Sequence, residues 1–262
     1  MSDYESFYRE FESPLMRQIR REAYGEDIGQ HSWVSADEVR GDIARLQLVP
    51  TSRLIDLGCG PAGPLTFILS LVRCRGTGVE VSDAALRVAR LRAKSLGVDA
   101  LLSLAQADIN DPLPFPAETF DAAISVDVIL HLRDRAKFLK EAARVLRPGG
   151  RLLFTDAGVL TGTMSNDEVR RRSVHGDTHF VAPGENEKLI ASVGLRLVET
   201  EDRTATSLAN ASGRLAALQA HRGELEPQLG NGLTRQIDYL ETVAELARRG
   251  ALSRMMYLSE KH

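Results

Sequence analysis

The feature that most constrains this chain is a strand that breaks into glycines. Arg53-Leu-Ile-Asp-Leu-Gly-Cys-Gly-Pro-Ala-Gly63 is an apolar run ending in Gly58-x-Gly60-x-x-Gly63, followed by a helical period. Glycines at that spacing let the backbone turn tightly at the strand's carboxyl end and approach a ligand without Cβ clashes. From residue 53 onward the text alternates in this way. Strands are expected at 53–57, 76–81, 101–107, 120–126 and 151–156, with helices near 63–71, 83–96 and 134–146. The strands are almost continuously apolar, as strands buried on both faces must be. Strand–helix–strand repetition of this kind specifies an α/β fold, a doubly wound parallel sheet with helices on both faces.

The flanks are read from the same periodicities. Residues 1–22 form a charged amphipathic pattern with Phe7, Phe11, Leu15 and Ile19 four apart, which predicts one helix. A loop, 24–34, carries YGEDIGQHSWV. Ser35 and Glu38 have the spacing of a capping box opening a helix with Val39, Ile43 and Leu46 inward, ending before Pro50. Arg147-Pro-Gly-Gly150 reads as a helix stop before the fifth strand. Beyond 157 the pattern loosens: 158–182 is polar and glycine-containing, with the basic run Arg170-Arg171-Arg172. Pro183 opens a short helix to Val193, ended by Gly194, and 195–200 reads as a strand. Residues 207–249 read as two helical stretches broken near Gly230-Asn231-Gly232, and 252–258 as a closing strand. The expected organisation is one domain over 1–262. It comprises an N-terminal helix and lid (1–34), a cofactor-binding core (35–157) and a substrate-side half (158–262) with a helical cap inserted at 205–250.

Composition narrows the function classes. The 262 residues hold 33 Lys+Arg against 36 Asp+Glu, a net charge of −3, which argues against a nucleic-acid binder that works through global charge. Two cysteines, Cys59 and Cys74, make neither a disulfide framework nor a zinc half-site. Their number points to a reducing compartment. The acidic start has no apolar signal segment. Pro64–Val72, one of the longest apolar runs, is far short of the roughly 20 residues that span a bilayer. A cytoplasmic protein without membrane contact is expected, and its oligomeric state is not legible.

Individual acids are more informative than their sum. Asp56 ends the first strand two residues before Gly58. A pyrophosphate there would meet a carboxylate at close range, whereas a cation would be favoured. Pro61 and Pro64 crowd the turn where a nicotinamide enzyme presents free N–H groups to phosphate. Glu80, 22 residues past Gly58, ends the second strand, where a carboxylate can accept from both hydroxyls of a ribose. Asp108 follows the third strand and can accept from an adenine amino group, with Ile109 covering the ring.

The segments LIDLGCGPAG, GVEVS, AQADINDPLPFPAETFD and VLRPGGRLLFTD stand in this order, within roughly residues 36–157. As a set they resemble the class I S-adenosylmethionine-dependent methyltransferases. The resemblance implies a Rossmann-like seven-stranded sheet with an antiparallel last strand, in agreement with 252–258. It also implies S-adenosylmethionine as cofactor, held by Asp56, Gly58, Cys59, Gly60, Glu80, Val81, Asp108, Ile109 and Gln30. Cys59 is explained there as a small residue that fits, since no activating base stands near it in sequence.

Asp127 and His131 leave the fourth strand at i, i+4 spacing and share a face if that segment is helical. His131 is then the candidate base and Asp127 its partner; the alternative is a turn histidine satisfied by a backbone carbonyl. This DxxxH element and the Tyr24-Gly-Glu-Asp-Ile28 loop are similar to the small-molecule branch, the phosphoethanolamine and sarcosine/dimethylglycine methyltransferases. The implied reaction is methyl transfer to an O or N nucleophile of a small molecule. In the phosphobase enzymes a tyrosine ahead of that loop partners the histidine. No tyrosine stands at the corresponding place here, Tyr4 and Tyr8 lying nearer the terminus. The resemblance makes 24–34 a lid over the cofactor, with Tyr24, His31 and Trp33 toward the substrate; alternatively Trp33 only packs the first helices onto the sheet. His175-Gly-Asp177-Thr-His179 lacks an identifiable third ligand, so no metal is expected. The arginine run reads as a solvated face. Two other functions stay open: a nicotinamide-dependent oxidoreductase on the same fold, disfavoured by Asp56 and the prolines, and a non-catalytic cofactor-binding member of the family.

Overall fold

The computed structural model describes residue 8, residues 10–173 and residues 178–262. Seven strands form one sheet in the order β3-β2-β1-β4-β5-β7-β6. They are β1 (Arg53–Leu57), β2 (Arg75–Glu80), β3 (Leu102–Gln106), β4 (Phe120–Val126), β5 (Leu146–Leu160), β6 (Leu195–Asp202) and β7 (Leu252–Lys261). β1 to β5 are parallel, and β7 runs antiparallel between β5 and β6. The strand order reverses between β1 and β4, the place where open α/β sheets hold ligands outside their carboxyl ends.

Alternation along the central strands feeds two cores. Leu54, Ala122 and Ile124 point to the face covered by α2 (Ala36–Arg45), α3 (Gly63–Val72) and α4 (Asp83–Ser95). Ile55, Leu57 and Ala123 point to the opposite face, under α5 (Arg135–Val145) and α7 (Glu185–Ser192). A third cluster joins Ile19, Ala23 and Trp33 to Ala211, Leu218, Tyr239 and Val243. It ties α1 (Pro14–Tyr24) to the cap made of α8 (Thr204–Ala220), α9 (Arg222–Leu229) and α10 (Asn231–Arg248). Gly213 permits this crossing, because a Cβ there would lie 2.3 Å from the Ala23 carbonyl oxygen.

Several boundaries differ from expectation for physical reasons. The single helix expected over 1–22 is interrupted at 10–13, and α1 starts at Pro14. Ser13 caps it, its hydroxyl accepting from the Met16 N–H, and proline fits only where no intrahelical N–H is required. Phe7 of that pattern lies outside the described residues. Ser35 caps α2 by accepting from the Glu38 N–H, but the Glu38 carboxylate turns away to Arg254. The reciprocal capping box occurs instead at Ser165 and Glu168, opening α6 (Asn166–Arg172) inside the segment expected to be irregular. Arg147–Gly150 belongs to β5 rather than preceding it. The cap holds three helices, broken at His221 as well as at Gly230. No helix among the described residues is long and apolar enough to cross a membrane.

Candidate active site

A cavity of about 700 Å³ opens over the carboxyl ends of β1, β2, β3 and β4. Gly58 (φ +79°) turns the chain off β1, and a Cβ there would lie 2.8 Å from Val128. Gly63 has another use. A Cβ at that position would lie 2.2 Å from the Gly29 carbonyl oxygen, so the lid backbone rests directly on the start of α3. The third glycine of the motif therefore accommodates the lid, and the helix N-terminus is covered where a pyrophosphate would need it open.

Three carboxylates follow the edge of this turn. Asp56 is buried and lines the cavity. Desolvation, reinforced by the nearby charge of Glu80, pushes its pKa up to about 8. Glu80 accepts from the Gly60 N–H (3.0 Å) and the Ser82 N–H (2.9 Å), one on each oxygen. That fixes the carboxylate and leaves further lone pairs toward the cavity. Asp108 accepts from the backbone N–H of Asn110 and from its side-chain amide, and its pKa is lowered chiefly by that backbone bond. Cys59, Gly60, Val81 and Ile109 complete this half of the lining. Cys59 is buried, and desolvation, with the charges of Asp56 and Glu80, raises its thiol pKa. It is a packed thiol rather than a nucleophile.

The lid loop supplies the next part of the wall. Arg20 pairs with Asp27, and Asp27 accepts from the Gly29 N–H, so the loop is tied to α1. His31 lines the cavity with its ring edge-on to Tyr8 and Phe11, 6.3 Å between centroids in each case. Trp33 also lines it, stacked on Tyr239 at 6.0 Å. Trp33 thus both packs the cap and faces the cavity. Ser32 lines it too, with its buried Oγ unpartnered among the described residues.

Two expected residues do not reach the cavity. Gln30 is buried within the loop, its amide oxygen accepting from the Ile28 N–H and its nitrogen donating to the Glu26 carbonyl. Tyr24 donates its hydroxyl to the Ser32 carbonyl and packs in the third core. Both side chains satisfy the backbone of a turn-rich loop, a use that competes with ligand binding and that residue type alone does not reveal. Conversely Tyr8, passed over in sequence as too near the terminus, lines the cavity. A Cβ on Gly60 would lie 3.5 Å from its hydroxyl oxygen.

Asp127 and His131 both line the cavity but not from one helical turn. Asp127 has φ +57°, and only Ile129–His131 makes a short 3-10 turn. The carboxylate of Asp127 is fully engaged. It accepts from the Trp33 N–H (2.9 Å), the Thr155 hydroxyl (2.7 Å) and Arg254 Nε (2.8 Å). These bonds over-determine an otherwise unfavourable backbone conformation and fix both the lid and the turn that carries His131. The partner for this anchor, Arg254, lies 127 residues away on β7.

His175, Gly176 and Asp177 lie outside the described residues. Among the described residues no group of three or more His, Cys, Asp or Glu is placed to hold a metal ion.

Comparison with known proteins gives a consistent picture. A family described as "Methyltransferase domain" matches residues 55–154. The glycine/sarcosine/dimethylglycine N-methyltransferase of Actinopolyspora halophila is 26% identical over 212 residues, covering 78% of this chain and 36% of that protein. The sarcosine/dimethylglycine N-methyltransferase of Halorhodospira halochloris is 34% identical over 126 residues, 46% of this chain and 45% of that protein. The chain thus spans less than half the length of these curated relatives. Among solved structures, a phosphoethanolamine N-methyltransferase 2 of Haemonchus contortus in complex with S-adenosyl-L-methionine superposes with a TM-score of 0.81. It is 18% identical, with 100% of this chain and 60% of that one covered.

Proposed function

The chain belongs to the class I S-adenosylmethionine-dependent methyltransferases, and from that premise we propose that it methylates an oxygen or nitrogen of a small molecule. The observation that carries the proposal is the row of three strand-end carboxylates, Asp56, Glu80 and Asp108, beside the glycine turn. They suit the cofactor chemically. Asp56, buried and protonated up to about 8, becomes a favourable anion only when a cation is brought to it. Glu80 is pre-oriented to accept from ribose hydroxyls. Ser32 offers an unpartnered hydroxyl. The nicotinamide alternative finds no support, since the lid backbone covers the helix end that a pyrophosphate would need.

The bound cofactor supplies an electrophilic methyl on a cationic sulfur. The protein's part is positioning and proton handling. Glu80 and Asp108 orient the ribose and adenine, with Gly58, Cys59, Gly60, Val81 and Ile109 shaping the floor. The lid, with His31 and Trp33, excludes water and brings the reacting atoms into line, which supplies much of the rate in a displacement of this kind. His131 takes the proton of an acceptor hydroxyl as the new bond forms, or takes an ammonium's proton beforehand so that the freed nitrogen lone pair can attack. Asp127 is a positioning residue that acts through the lid backbone and the 128–131 turn. The whole chain works as one unit, and its two free, buried cysteines suit a cytoplasmic setting. Release of S-adenosylhomocysteine across a panel of hydroxyl and amine acceptors tests the activity. Cofactor binding without turnover on any acceptor would favour a non-catalytic role.

A further inference from the structure

Four of the five buried arginines among the described residues are neutralised by carboxylates. Arg20 pairs with Asp27, Arg135 with Asp156, Arg203 with Asp42, and Arg254 with Glu38 and Asp127. Arg172 is the exception. It is 3% exposed, lines the cavity and has no carboxylate partner among the described residues. Its Nη1 donates to the Tyr239 hydroxyl at 3.2 Å and its Nη2 to the Ala157 carbonyl at 3.3 Å. Its Nε is buried without any partner. An uncompensated charge held out of water is strongly unfavourable unless something anionic meets it. Its neighbours Arg170 and Arg171 behave as the run predicts, exposed and paired with Asp167.

A second guanidinium faces the same space. Arg214 lines the cavity, lies 5.3 Å over the Trp33 ring, and likewise forms no ion pair with a described carboxylate. Arg172 lies 5.3 Å over Tyr239, and Tyr239 stacks on Trp33. The result is a ladder of guanidinium, two aromatic rings and guanidinium along one wall. Its Arg172 end rests on β5 and α10, whereas Asp56, Glu80 and Asp108 stand at the ends of β1, β2 and β3. The cavity therefore has an acidic half and a basic half.

We infer that the basic half seats an anionic group of the methyl acceptor, a carboxylate or a phosphate, on Arg172 and Arg214. The inference rests on the methyltransferase reading for what the ligand is, since that reading assigns the acidic half to the cofactor. Guanidinium groups suit either oxyanion through charge-assisted bonds, and Trp33 and Tyr239 give the body of the acceptor an aromatic wall.

The test is calorimetry on the full chain saturated with S-adenosylhomocysteine, titrated with inorganic phosphate or phenylacetate. At least one probe should bind, and Arg172→Met and Arg214→Met should each weaken it at least tenfold. Binding of phosphate alone or of phenylacetate alone assigns the source of the anion. Failure of both probes on the wild-type complex, or equal affinity in the variants, overturns the proposal. S-adenosylhomocysteine affinity should be unchanged in both variants. Its loss without a fall in melting temperature would assign the arginines to the cofactor's own carboxylate and also overturn it. Where Arg172→Met lowers the melting temperature, Arg172→Lys replaces it, keeping the charge but losing the Nε and forked donors, with the same tenfold loss expected. Failure of the wild-type chain to bind S-adenosylhomocysteine at all is a separate result, which counts against the methyltransferase reading itself.

Discussion

The two halves of the cavity are built by different means. The acidic half comes from one stretch of chain: Asp56, Gly58, Gly60, Glu80, Asp108 and Ile109 lie within consecutive strand ends of a parallel sheet. Each is placed by a local junction, and Glu80 is fixed by backbone N–H groups two and twenty residues away. The proposed acceptor half is collected from the whole molecule: Trp33 before the sheet, His131 after β4, Arg172 on α6, Arg214 on α8 and Tyr239 on α10. Long-range contacts hold those groups together: the apolar cluster and ring stacking of Trp33 and Tyr239, and buried polar bonds such as those of Asp127 and Arg172. Recognition of a shared cofactor needs only the sheet, whereas choice of acceptor needs the insertions around it.

This contrast predicts that substitutions will separate by half. His131→Gln should lower kcat by about 10²–10⁴-fold, the range for loss of a general base. Its affinity for S-adenosylhomocysteine should stay at the wild-type value in equilibrium titration, and a matching loss there would dissolve the distinction. Arg254→Met removes the cation between Asp127 and Glu38, leaving both carboxylates buried near the lid. Breaking a buried pair in this way costs about 3–5 kcal/mol, and chemical denaturation should read that loss. A stability within 1 kcal/mol of wild type would mean that the acceptor half is not held from behind as described.

Glu80→Ala should weaken S-adenosylhomocysteine by roughly 10–100-fold, from the loss of charged hydrogen bonds of about 1.5–3 kcal/mol. Melting temperature should change little, and an unchanged affinity would remove the ribose assignment. A further effect concerns pH. In the unfolded chain Asp56 ionises near its ordinary value of 3.8, but in the folded chain it keeps its proton to about 8. The unfolded state therefore binds fewer protons across that window, so folding stability falls as pH rises through it and levels off above about 8. Asp56→Asn lacks this loss. Without cofactor, the melting temperature of the variant should gain on wild type between pH 5 and pH 8, and parallel curves would contradict the buried, protonated carboxylate.

The same contrast explains what the sequence revealed. Asp56, Glu80 and Asp108 were legible because a strand end followed by glycine or a turn specifies its own surroundings. The sheet was legible for the same reason, and β4 matched its expected limits. Arg172 was not, because a run of three arginines reads as solvated, and only the packing of α6 against α10 separates the third from its neighbours. Tyr239 and Arg214 sit in helices whose periodicity announces only core. The resemblance implies Gln30 and Tyr24 as site residues through the lid, whereas their polar atoms close the loop on itself. The positive φ of Asp127 breaks the i, i+4 argument, and the partners that hold its carboxylate, Trp33, Thr155 and Arg254, lie beyond any local window.

Asp56 should ionise when the acidic half receives an adenosyl ligand that brings a cationic group to it. Calorimetric titration of the full chain with S-adenosylhomocysteine at pH 7, in two buffers of different ionisation enthalpy, tests it directly. The ligand's ammonium supplies the cation, so binding should release about one proton per site as Asp56 ionises. Absence of binding at high micromolar ligand, or binding with no buffer-dependent heat, would contradict it.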